Sequence, residues 1–146
     1  VQRVARARGV PSARRLRDWA CAACPPGADV TVRVVGLREG ESLNRTFRGR
    51  ASATNVLSFP YASGHRLHGD VVLCHPVVQR EARAQGKTTA AHYAHLVVHG
   101  ILHLRGYDHG RRAAAARMEA NEQRILRRLG YPDPYVLPSR APRGAR

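Results

Sequence analysis

The chain has 146 residues, enough for one compact domain with its own core, and its three cysteines, Cys21, Cys24 and Cys74, are too few and odd in number for a secreted disulfide framework. Apolar residues make up 43% of it, yet histidines interrupt the longest apolar run well short of the roughly 20 residues of a membrane span, so a soluble, cytoplasmic protein with no membrane partner is expected. A formal net charge of +15, almost all arginine with Lys87 the only lysine, favours a polyanionic partner and nucleic acid first.

In chain order, the Arg-rich stretch from Val1 to Val10 reads as an N-terminal strand or arm. Ser12 is a capping residue, and Leu16, Trp19, Ala20 and Ala23 recur at helical spacing until Pro25-Pro26-Gly27 stops the run near Cys24. Asp29 to Gly36 (DVTVRVVG) is β-branched and reads as a strand, and a short helix is expected from Glu41 to Phe47. NVLSFP, from Asn55 to Pro60, and GDVVLC, from Gly69 to Cys74, are two further strands on either side of a loop containing Ser63, Gly64 and His65.

Val77 to Gln85 is expected to be helical and to end at Gly86. Thr88 or Thr89 then caps a long helix that runs to about Arg105 and stops at Gly106. A last helix from about Arg111 to Leu129 carries Met118, Ile125, Leu126 and Leu129 on one face and ends before Gly130 and Pro132. The sum is an α+β fold: one domain over residues 1–136, with a small mixed sheet, about five helices and a metal site on the central helix and the turn after it. Residues 137–146 have the composition of a disordered basic tail.

The chemistry concentrates in HGILHLRGYDH. His99 and His103, four apart, stand one above the other on a helix face, and a turn at Gly106 brings His109 back toward them. Three neutral imidazoles with a position left for solvent are the donor set of a catalytic zinc ion, one per chain. His92, His95, His99 and His103 share one stripe of an otherwise apolar helix, and burying that many imidazoles costs free energy that a metal would offset. His92 and His95 are expected to support the site or face the substrate, not to ligate.

The spacing also matches a zinc-protease layout, but Gly100 stands where such an enzyme needs a glutamate base, which argues against peptide hydrolysis. Asp70 and Asp108 are candidates for the carboxylate that accepts the outer N–H of a ligating histidine. The lone CxxC of Cys21 and Cys24 is weak evidence for metal or redox chemistry. Aromatic residues are only 5% of the chain, so no base-stacking platform is expected and RNA binding should be largely electrostatic.

Taken with TNVLSFP and GDVVLC before it and LGYPDPY after it, HGILHLRGYDH resembles the YbeY family of bacterial rRNA maturation endoribonucleases, from about Asp29 to Tyr135. The resemblance implies a zinc-dependent, single-strand-specific endoribonuclease that processes the 3′ end of small-subunit rRNA and serves ribosome quality control. Its partners would be precursor rRNA, the small subunit and ribosome-assembly proteins. The resemblance implies His99, His103 and His109 as ligands, and places the family's functional arginine on Arg48, within Thr46-Phe47-Arg48-Gly49.

Arg48 is thus expected to be catalytic and to clamp phosphate oxygens, with Asn55 and Ser58 either donating further hydrogen bonds to phosphate or capping strand and turn geometry. Water and the RNA 2′-hydroxyl stay open as the nucleophile. Two stretches depart from the family pattern: GHRLHGD, in the loop before Gly69, and GRRAAAAR after His109. The alternatives are a noncatalytic rRNA-binding assembly factor with a structural metal, and a zinc hydrolase acting on another substrate.

Overall fold

The computed structural model describes residues 1–3, 7–48, 54–61, 66–106 and 112–136. In chain order its elements are β1 (Gln2–Arg3), α1 (Ala13–Ala23), β2 (Asp29–Val35), α2 (Leu37–Arg48), β3 (Val56–Pro60), β4 (His68–Cys74), α3 (His75–Ala84), α4 (Thr89–Leu104) and α5 (Arg112–Arg128). The strands form one mixed sheet in the order β1-β2-β4-β3. β2 is parallel to both β1 and β4, whereas β3 pairs antiparallel with β4 and leaves the sheet's far edge beside the histidines. The α+β class with five helices is as expected.

Alternation along β4 explains the layering. Val71 and Leu73 enter the larger core with α1, α4 and α5, while Val72 and Cys74 enter a smaller one with Val35, Leu57 and Val77. Successive strand residues point to opposite faces, so a strand apolar at both parities must be covered on both sides. α4 is the central helix: ten of its residues, including Tyr93, Val97 and Ile101, are buried. No helix among the described residues is long and apolar enough to cross a membrane.

The caps are local. The Ser12 hydroxyl accepts from Arg15 N at 3.2 Å and the Thr88 hydroxyl from Ala91 N at 3.0 Å, each taking up one of the N–H groups that a helix start leaves without a partner. Gly106 has φ +94° beyond the end of α4, a conformation that would strain a side-chain-bearing residue. The helix expected from Glu41 starts four residues earlier, at Leu37. Glu39 lies in its first turn, where a carboxylate favours the helix dipole and here also binds Arg33 at 3.1 and 3.3 Å, so Gly40 is carried inside the helix.

The N-terminal arm is tied to the core by His75, which is 1% exposed. Its Nε2 donates to the Arg8 carbonyl at 3.0 Å, and a neutral ring then leaves Nδ1 to accept from the Tyr93 hydroxyl at 2.6 Å. Residues 137–146, expected to be a disordered tail, lie outside the described residues.

Candidate functional site

Helical periodicity puts His99 and His103 on the side of α4 that faces β3, and their Nε2 atoms lie 3.0 Å apart. Two nitrogens bound tetrahedrally to zinc at about 2.0–2.1 Å are about 3.3 Å apart, so a small ring adjustment would seat one ion between them. Two bare imidazole lone pairs would repel at 3.0 Å; a proton or a cation between them removes the conflict. The donor set therefore fits a metal.

Which nitrogen of His99 faces His103 is decided from α5. The Glu122 Oε1 lies 2.6 Å from His99 Nδ1, and because a carboxylate only accepts, Nδ1 carries the proton and the lone pair of His99 is on Nε2, toward His103. Glu122 is fully buried, and its other oxygen accepts from His95 Nε2 at 3.0 Å and from the Tyr135 hydroxyl. Burial alone would raise its pKa, but the hydrogen bonds from His95, His99 and Tyr135 outweigh burial and hold it at about 2. The group is an anion that fixes the ring.

His95, His99 and Glu122 also present ligand atoms within 4.8 Å of one another, a group that could itself hold a metal ion. Hydrogen bonding accounts better for it: 2.6 Å between Glu122 and His99 is tighter than two atoms sharing a tetrahedral ion allow, and both carboxylate oxygens already have donors. On this geometry His99 offers Nε2 to a metal and Nδ1 to its carboxylate.

The histidine pair lies in a cleft of about 550 Å³ whose walls include Phe47, Asn55, Ser58 and Phe59. Of the expected phosphate donors, Ser58 spends its proton on the Gly100 carbonyl at 2.9 Å, and Asn55 donates to Glu81 Oε1 at 2.9 Å while its Oδ1 accepts from Val56 N. Both line the cleft, but these bonds hold β3 to α4 and α3. Arg48 ends α2 one residue beyond Phe47; its side chain, together with His109 and Asp108, lies outside the described residues.

The carboxylate on His99 is Glu122 and not Asp70, whose Oδ2 accepts from the Tyr61 hydroxyl at 2.6 Å. Glu122 escaped the sequence reading although a signal was present: it lies four residues after Met118 and three and four before Ile125 and Leu126, a lone acid on the apolar stripe of α5. His92 and His95 bind the carboxylates of Glu81 and Glu122. Burial lowers the pKa of His92, against a partial rise from Glu81.

Gly100 has a structural cause besides its chemistry. A Cβ there would come within 2.8 Å of Val71 Cγ1 and 3.2 Å of both Ser58 Oγ and Val56 Cγ2, so α4 lies close against the sheet and a side chain at this position would force its neighbours to shift. The absence of a peptidase base is thereby tied to the packing that brings His99 and His103 to the edge of β3.

Similarity to known proteins agrees with this geometry. The family model for Endoribonuclease YbeY matches residues 15–130. Proteins named Endoribonuclease YbeY from Nitrosomonas europaea and Nitrosomonas eutropha are 55% and 52% identical to the chain over 137 residues, covering 94% of it and 84% and 97% of theirs. The solution structure of TM1509 from Thermotoga maritima covers 92% of the chain and 98% of its own length with a TM-score of 0.58 and 23% identity, a likeness of fold. With residues 15–130 matched and relatives more than half identical along nearly the whole chain, the protein belongs to the Endoribonuclease YbeY family.

Proposed function

We propose that the protein is a metal-dependent endoribonuclease that cuts single-stranded RNA, its substrate precursor rRNA near the 3′ end of the small-subunit species. The observation that carries the reading is the converging Nε2 pair of His99 and His103 in an open cleft, with the tautomer of His99 set by Glu122. His109 is the third ligand in this proposal, zinc the metal and the cytoplasm its place of action. When bound, the ion would supply Lewis acidity at the phosphodiester.

The chain's own residues do the rest. Glu122 fixes the tautomer and orientation of His99, so the lone pair of Nε2 is directed toward the metal position. Ser58 pins β3 to the backbone of α4 at Gly100, which sets the width of the cleft. Arg48, at the end of α2, supplies a guanidinium whose planar fork suits two phosphate oxygens as charge builds on them. Ribosome-assembly proteins are its proposed partners, and the charge of +15 draws the polyanion to the cleft.

The test is cleavage of a single-stranded RNA carrying the small-subunit precursor 3′ end by protein of known metal content, beside His103→Ala and a chelated control. Metal-dependent cutting that the variant lacks is the expected result. Intact RNA despite full metal occupancy and tight binding would leave a noncatalytic RNA-binding protein instead.

A further inference from the structure

A base-stacking surface was not expected from a chain with 5% aromatic residues, yet both of its phenylalanines line the histidine cleft. Phe47 is 61% exposed on the last turn of α2. Phe59, on edge strand β3 beside Ser58, packs against the smaller core and meets the ring of Phe47 with centroids 4.8 Å apart at 60°. A single exposed apolar residue is ordinary; an exposed aromatic ring braced by a second one, in the same cleft as two converging imidazoles, is a shaped surface.

Resting on the nuclease reading above, we propose that Phe47, braced by Phe59, is the platform on which a nucleobase next to the cleaved phosphate stacks. Every nucleobase has a π-face, so such a platform reads no sequence. It does read strandedness. A base in a duplex is already stacked and paired, and laying it on Phe47 would cost its unpairing, whereas a single strand offers the face freely. Net positive charge attracts both forms of RNA and cannot make that distinction. In sequence, Phe47 directly precedes Arg48, the residue proposed above for phosphate contact.

The test uses single-stranded RNA with 2-aminopurine at successive positions, bound to chelated protein so that the strand stays intact, followed by kinetics on the metal-loaded enzyme. Wild type should quench the fluorophore on binding. Phe47→Leu, which keeps apolar bulk at an exposed site but has no π-face, should lose that quench, raise KM about tenfold and leave kcat within about twofold. It should also narrow the preference for single strands over duplexes. Unchanged quenching and KM in Phe47→Leu, with wild type cutting normally, would overturn the platform and leave the nuclease reading intact. Quenching by a wild-type protein that does not cut would keep the base site and sink the nuclease.

Discussion

Glu122 on α5 accepts a 2.6 Å hydrogen bond from Nδ1 of His99 on α4, so an imidazole on one helix is aimed by an acid on another. Glu122→Gln keeps the volume and loses the charge. Metal affinity measured by chelator competition should fall about 10- to 100-fold, with cleavage falling in parallel and the helical circular dichroism retained. Unaltered metal affinity would show that His99 needs no carboxylate to orient it.

Gly100 separates two effects of opposite sign. Alanine in place of glycine inside a helix gains about 1 kcal/mol from propensity, but the added Cβ meets Val71 Cγ1 at 2.8 Å, and overpacking of this kind costs about 1–3 kcal/mol. Gly100→Ala is therefore expected to lower stability by up to about 2 kcal/mol in urea denaturation. A stabilised variant would mean that α4 can move off the sheet.

His92 gives a pH dependence whose sign follows from burial. Its pKa in the folded protein lies below the ordinary 6.5, chiefly because burial disfavours the charged ring. Above 6.5 both folded and unfolded chains hold it neutral and its contribution is complete. As pH falls below 6.5 the unfolded chain takes up the proton first, so stability declines until the folded pKa is reached. Thermal midpoints of wild type should drop more than those of His92→Gln between about pH 7.5 and 5.5; parallel curves would assign the titration elsewhere.

Arg48 is expected to act on charge in the transition state and not on the metal. Arg48→Ala should lower kcat by about 100-fold with metal content unchanged, and Arg48→Lys should recover only part, since an ammonium lacks the planar fork. Near-normal cleavage by the alanine variant would remove Arg48 from the mechanism.

Salt should weaken RNA binding steeply. With chelated protein, the logarithm of affinity should fall linearly with the logarithm of salt, by about 0.7 for each phosphate neutralised on a single strand. A flat response would assign binding to stacking and hydrogen bonds in place of charge.

Much of this site could be read from the sequence because its first layer is local. His99 and His103 share a helix face by the geometry of four residues, Ser12 and Thr88 cap the turns that follow them, and Gly106 lies just past the end of α4. None of these depends on another part of the chain. The start of α2 differs from the expected Glu41 where that locality fails: Glu39 lies in the first turn and binds Arg33 on β2.

The sequence by itself determined the helices other than the start of α2, the stripe of histidines and the absence of an acid at position 100. Only the tertiary structure decided which carboxylate aims His99, since Glu122 and His99 are 23 residues apart and meet because α5 packs its apolar stripe on α4. It also decided that a side chain at Gly100 would force its neighbours to shift, and that Phe47 and Phe59 share the cleft. Contacts of this kind depend on how elements pack across distances that no local periodicity encodes, because the driving force, burial of apolar surface, has no direction of its own.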